Sequence, residues 1–174
     1  LNYPETVEAL GLRGRKLEEF AEMVEMMYAS NIHHLDSRLG RVLDAVEQAG
    51  ELDNTYIIYT SDNGGGLLPN GSLEGGKAKL FEGGLRVPWV IAGPGVLPGV
   101  QCDEPIAQWD LLPTLHDLSG STAPLPENLD GGRLRPLLEQ GNAGSVQRPV
   151  EGRVFHYPSY FGTPLSVIRI GDYK

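Results

Sequence analysis

The chain has little of what disulfide bonding, membrane insertion or nucleic-acid binding requires. Cys102 is the only cysteine, which excludes an intrachain disulfide, and no cysteine–histidine spacing is typical of zinc. The longest apolar runs, such as residues 87–92, are far shorter than the ~20 residues that span a bilayer. Lysine and arginine number 14 against 23 acidic residues, and a net charge of -9 disfavours binding to a polyphosphate backbone. We therefore expect neither a nucleic-acid partner nor a membrane partner.

A long amphipathic helix is the first element that the sequence predicts. Between residues 16 and 48, apolar residues recur at three- and four-residue steps, the pattern of a helix with one buried stripe: Phe20, Val24, Met27, Leu35, Leu39, Val42 and Val46. Ala49 and Gly50 should end this helix, because glycine readily adopts the left-handed conformation of a C-terminal cap.

Short β-branched and aromatic runs predict strands at residues 55–60, 87–92, 154–157 and 166–170. A second helix should run from an N-cap at Asp110 to Leu118. This alternation indicates an α/β fold with helices on both faces of a sheet, where ligands collect beyond the carboxyl ends of the strands. A change of composition near residues 141–149 predicts a linker, which divides the chain into residues 1–148 and 149–174.

The best candidate for chemistry follows the first predicted strand. Asp62 and Asn63 place a carboxylate beside an amide oxygen where that strand ends, and hard cations such as Ca²⁺ take oxygen ligands of this kind. Glycines at 64–66 allow the backbone to fold tightly, so that two adjacent side chains can turn toward one point. Asp-Asn-Gly is also an ordinary turn sequence, so this motif alone leaves both a metal site and a simple turn open.

Several further motifs occur in the order and spacing of one protein family. They are TSDNG at 60–64, GK at 76–77, EGGLRVP at 82–88, DLLPTL at 110–115 and DG at 130–131, followed by HYP at 156–158 and GDYK at 171–174. With these motifs the chain resembles the type I, formylglycine-dependent sulfatases of the alkaline phosphatase superfamily, and specifically their C-terminal portion. The resemblance implies that residues 1–148 belong to a mixed sheet flanked by helices. Residues 149–174 would then begin a small, truncated C-terminal α+β subdomain.

The resemblance also implies roles for particular residues. In the family, Ca²⁺ is bound by two side chains from an early Asp-Asp motif, which has no counterpart here, and by two that correspond to Asp62 and Asn63. The lysine five residues before the Glu-Gly-Gly glutamate, here Lys77, neutralises sulfate oxygens and assists the leaving group. Lys79 lies close enough in sequence to be confused with it. His156, where the small subdomain meets the sheet, is a further candidate for contact with substrate.

The family nucleophile is a formylglycine made from the first residue of a Cys/Ser-x-Pro-x-Arg motif, and its hydrate attacks sulfur to form a covalent sulfo-enzyme. That motif does not occur in this chain, since Cys102 is followed by Asp103, Glu104 and Pro105. We therefore expect a fragment of a sulfuric ester hydrolase that is inactive alone, with both ends cut and the formylglycine upstream. Two alternatives stay open, namely a non-catalytic remnant or pseudoenzyme and a related phosphonate or phosphate-ester hydrolase.

Partners and location follow from the same resemblance. It implies a sulfated small molecule or sulfated carbohydrate as the substrate, and a periplasmic or secreted protein, although residues 1–5 show no signal peptide. A sheet without its neighbouring strands exposes edges that can pair with another copy, so we also expect self-association through exposed sheet edges.

Overall fold

The fold was obtained as a computed structural model, in which residues 10–66, 70–158 and 164–174 are described. The helices and strands of these residues, in chain order, are α1 (Arg15–Gln48), β1 (Ile57–Thr60), α2 (Glu82–Leu85), β2 (Trp89–Ala92), α3 (Leu111–Leu118), α4 (Arg135–Gln140), β3 (Arg153–Tyr157) and β4 (Leu165–Arg169). Short 3₁₀ turns occupy Leu52–Asn54, Gln108–Asp110 and Gly141–Ala143. Within the described part of the chain, no helix combines the length and apolar character needed to span a bilayer.

Helices and small sheets give the mixed α/β fold that the sequence predicts. β1 pairs with β2, and β3 pairs with β4, so the described strands form two sheets of two strands each. All four strands fall within the predicted runs or differ from them by a residue or two at their ends. The chain divides into two compact units, one of residues 1–90 and 156–166 and the other of residues 91–155 and 167–174. The domain boundary after residue 148 stays a prediction.

Helix α1 confirms the predicted bounds but not the predicted burial. Gly50 ends it with a φ of 72°, and the amide of Gly50 bonds to the carbonyl of Glu47 at 2.9 Å. Of the predicted stripe only Val24 is buried, whereas Met27 is 58% exposed and Val42 is 59% exposed. The periodicity sets which face of a helix is apolar, but burial needs a partner surface, and most of this face has none among the described residues.

Asp110 precedes α3 as predicted, but its side chain does not cap that helix. The carboxylate instead accepts hydrogen bonds from the amides of Ala107 and Gly132. Arg148, inside the segment predicted as a linker, binds the same carboxylate through Nε at 3.0 Å and Nη2 at 2.6 Å. The predicted linker is therefore anchored to the packed part of its own unit.

Candidate functional site

The first part of the candidate site is the turn that follows β1. Ser61 donates from its hydroxyl to the carbonyl of Asn63 at 2.9 Å, a short-range bond that closes the backbone directly after the strand. Asp62 is exposed and Asn63 is half-buried. The backbone bends at Asp62 and Asn63, the side chain of Asp62 is open to solvent, and both the metal site and the simple turn stay predictions.

Glycine is required here because three backbone segments touch. The amide of Gly64 donates to the carbonyl of Gly84 at 3.0 Å, and the amide of Gly83 donates to the carbonyl of Glu74 at 2.7 Å. A Cβ at Gly64 would overlap the carbonyl oxygen of Gly83, and a Cβ at Gly84 would overlap the carbonyl oxygen of Lys79. No larger residue fits at these contacts, so the glycines of both motifs serve close backbone approach.

The loop that carries Lys77 is fastened to the same junction. The amide of Lys77 donates to the carbonyl of Gly65 at 3.0 Å, which connects the lysine's backbone to a residue two positions after Asn63. Ala78 has a φ of 67°, the only positive value for a non-glycine residue among those described. An alanine in this left-handed region is strained. The chain therefore reverses direction sharply between Lys77 and Lys79.

Lys77 and Lys79 are both exposed but differ in their backbone roles. The carbonyl of Lys79 lies against Gly84, and its amide bonds to the carbonyl of Gly76 at 3.0 Å. The backbone of Lys79 thus belongs to the packing of the loop, whereas that of Lys77 bonds to the segment of the candidate metal ligands. The choice of Lys77 over Lys79 as the sulfate-binding lysine stays a prediction.

Asn70 is a positioning residue that sequence reasoning missed. Its side-chain oxygen accepts from the amide of Gly65 at 2.9 Å, and its side-chain nitrogen donates to the carbonyl of Gly75 at 2.9 Å. One side chain thereby bridges the strand end and the lysine loop. Asn70-Gly71 has the sequence of an ordinary turn. Nothing in the neighbouring residues predicts that the side-chain amide of Asn70 bonds to the backbone five residues before it and five residues after it.

The ligand chemistry of Asp62 and Asn63 fits Ca²⁺, which takes six to eight oxygen ligands. Two side chains supply only part of such a shell. Among residues 10–66, 70–158 and 164–174, no group of three or more His, Cys, Asp or Glu side chains is placed to hold a metal ion. A calcium ion at Asp62 and Asn63 would therefore need further oxygen ligands, which can be carbonyl groups, water or other carboxylates.

The remaining candidate, His156, lies on β3. It is exposed, and its Nδ1 lies 2.6 Å from the hydroxyl of Ser166 on β4. Its contact with substrate stays a prediction.

Comparison with known proteins agrees with this pattern of motifs. A family model described as Sulfatase matches residues 21–121. Steryl-sulfatase of Rattus norvegicus is 36% identical over 152 residues, covering 80% of this chain and 26% of that protein. Arylsulfatase A of Homo sapiens is 38% identical over 159 residues, covering 84% and 29%. The Extracellular sulfatase SULF-1 homolog of Drosophila melanogaster is 36% identical over 125 residues, covering 72% and 11%. The chain therefore spans less than a third of each of these relatives.

Proposed function

Because the chain belongs to the sulfatase family, we propose that it forms part of a sulfuric ester hydrolase that uses formylglycine and calcium. The observation that supports this site most directly is the hydrogen bond from the amide of Lys77 to the carbonyl of Gly65 at 3.0 Å. It brings the backbone of the candidate sulfate-binding lysine next to the turn of the candidate calcium ligands. The steryl-sulfatase and the SULF-1 homolog are each about four or more times as long as the part of them that matches this chain. We propose that the nucleophile is supplied by a longer protein to which this chain belongs.

In this proposal each residue of the chain has one task. Asp62 and Asn63 would hold Ca²⁺ through their side-chain oxygens, and a bound ion would supply positive charge beside the sulfate group. Lys77 places its ammonium beside a sulfate oxygen and stabilises the charge that develops as the ester oxygen departs. Asn70 keeps the two segments together through its bonds to Gly65 and Gly75.

The substrate class proposed is a sulfated small molecule or sulfated carbohydrate, and the protein is proposed to be secreted or periplasmic. The name of the Drosophila melanogaster relative places that protein outside the cell. The chain alone is expected to show no turnover, since it lacks a Cys/Ser-x-Pro-x-Arg motif. Adding Ca²⁺ and an aryl sulfate to the purified chain tests this, and hydrolysis above the buffer rate would contradict it.

The decisive experiment compares two lysine variants of the longer gene product. With p-nitrophenyl sulfate and excess Ca²⁺, Lys77→Ala should lower kcat about 10²- to 10³-fold, the usual loss for one group that stabilises a transition-state oxyanion. Lys79→Ala is the matched control and should change kcat less than about threefold. Equal losses, or a larger loss for Lys79→Ala, would contradict the role of Lys77. Faster cleavage of p-nitrophenyl phosphate than of the sulfate would favour a phosphate-ester hydrolase instead.

A further inference from the structure

A polar cleft lies within the unit that comprises residues 91–155 and 167–174. Its volume is about 770 Å³, inside the range of roughly 300–1,000 Å³ that small-molecule sites occupy. Arg148, Arg153 and Arg169 all line it, and we call it the arginine cleft. Three guanidinium groups thus line one concave space of a chain whose net charge is -9.

Arg153 is the unusual member of this cluster. It opens β3, is only 8% exposed, and its Nε is buried without a hydrogen-bond partner. Buried polar groups in folded proteins nearly always have a partner, because an unsatisfied donor loses its bonds to water without replacement. Arg153 therefore brings a nearly buried guanidinium with an unsatisfied donor to the lining of the cleft.

The surroundings of Arg153 favour an anion. Burial lowers the pKa of Arg153, and the positive charges of Arg148 and Arg169 lower it further, while Glu104 and Asp110 act in the opposite direction. Burial is the largest of these causes, and repulsion from the two neighbouring arginines comes next. A bound anion would offset both the lost hydration and the repulsion between the arginines.

Arg148 acts on a ligand in the cleft through its charge, because its Nε and Nη2 groups are already hydrogen-bonded within the protein. Its Nε and Nη2 are bound to the carboxylate of Asp110, and Nη2 also donates to the carbonyl of Pro105 at 3.2 Å. This fixes its position at the cleft. Glu104 lies 3.9 Å from Nη1 of Arg148, but its side chain is 38% exposed. Solvent therefore screens that carboxylate, whereas Arg153 is shielded from water.

Other acidic side chains of the lining are also exposed: Asp103, Glu151 and Asp172. The lining of the cleft thus contains both exposed carboxylates and the buried Arg153. Because electrostatic interactions are stronger where water is excluded, the buried cation has more influence on a ligand that reaches it than the exposed carboxylates have.

We propose that the arginine cleft binds an oxyanion group, a sulfate, phosphate or carboxylate, which accepts hydrogen bonds from the guanidinium of Arg153 in a cleft that Arg148 and Arg169 also line. The site is independent of the hydrolysis proposed above, since Asp62, Asn63, Lys77 and His156 do not line the cleft. Guanidinium groups are well suited to this task because their planar N–H donors match the oxygens of such anions.

The test is calorimetric titration of the purified chain with sodium sulfate, sodium phosphate and sodium acetate, each at constant ionic strength maintained with sodium chloride. At least one anion should bind saturably at one site. Arg153→Gln should weaken its Kd at least about tenfold, because it removes a hydrogen bond to a charged partner. Arg133→Gln, which removes an exposed arginine of the same unit, should leave the Kd within about twofold.

Glu104→Gln supplies a second arm that does not rely on a buried substitution. Removal of this partly exposed carboxylate should tighten anion binding about two- to fivefold. Preference for sulfate and phosphate over acetate would identify a tetrahedral oxyanion site, and equal or tighter binding of acetate would identify a carboxylate site. The proposal is overturned if the folded wild-type chain binds none of the three anions, if Arg133→Gln weakens binding as much as Arg153→Gln, or if Glu104→Gln does not tighten it.

Discussion

Replacement of Asp110 by alanine should cause the largest loss of stability of any single substitution in the unit that contains it. The side chain of Asp110 is 0% exposed and that of Arg148 is 5% exposed, and they form a two-point ion pair with a shortest distance of 2.6 Å. The same carboxylate accepts from the amides of Ala107 and Gly132, both at 2.8 Å. Asp110→Ala removes four hydrogen bonds and leaves the buried Arg148 with the partly exposed Glu104, 3.9 Å away, as its remaining ionic partner.

The expected loss is large because the remaining groups cannot reach water. Removing one partner of a buried ion pair costs roughly 3–5 kcal/mol, and each unsatisfied backbone amide adds about 1–3 kcal/mol unless water enters. We therefore expect the free energy of unfolding to fall by at least about 3 kcal/mol, a large fraction of the roughly 5–15 kcal/mol that stabilises a typical domain. Arg148→Met should cost less than Asp110→Ala, since it leaves the two amide bonds to Asp110 intact.

Urea unfolding, followed by far-UV circular dichroism and tryptophan fluorescence, measures both variants and their combination. The double variant should lose less stability than the sum of the single losses, because residues in direct contact are not additive. Arg135→Ala is the matched control: its pair with Glu139 also lies within hydrogen-bond distance, at 2.9 Å, but both side chains are nearly half exposed, so the loss should stay below about 1 kcal/mol. A loss under about 1 kcal/mol for Asp110→Ala, or strict additivity, would refute this reasoning.

Further predictions concern the lysine loop and the long helix. Ala78→Gly should raise the free energy of unfolding by about 1 kcal/mol in urea unfolding, because its φ of 67° suits glycine; no gain would contradict strain there. Gly64→Ala should lower it by about 1–3 kcal/mol, since a Cβ would overlap the carbonyl of Gly83. The chain should self-associate at high concentration in light scattering, and Met27→Lys, on an exposed apolar face, should reduce this. A wild-type molar mass that stays that of a monomer as the concentration rises would contradict this self-association.

Local pattern was sufficient to predict the elements of this fold. The end of α1 at Gly50 and the strands at 57–60 and 89–92 follow from residue types within a few positions of each other. The prediction that the apolar stripe of α1 is buried was wrong, because periodicity indicates which face of a helix is apolar and not what packs against that face. Met27 and Val42 lie on that face and are more than half exposed.

The candidate site was predictable only where a motif fixed it. The Asp62-Asn63 turn and the lysine loop were found from spacing, and the structure adds the backbone contacts that explain the glycines of both. Hydrogen bonds between residues far apart in the sequence could not be predicted from local pattern. Arg148 lies in a segment whose composition predicted a linker, and it binds a carboxylate 38 positions earlier. The unsatisfied Nε of Arg153 was equally invisible, because burial of a polar atom depends on the whole packing around it.

The junction of Gly64, Gly83 and Gly84 has a consequence for which substitutions this region tolerates. Main chain rests on main chain there, so the spacing between the end of β1 and the loop of Lys77 does not depend on the rotamers of the surrounding residues. Neighbouring surface positions can therefore exchange side chains while the peptide framework keeps its dimensions. The three glycines are the positions at which the same freedom is denied.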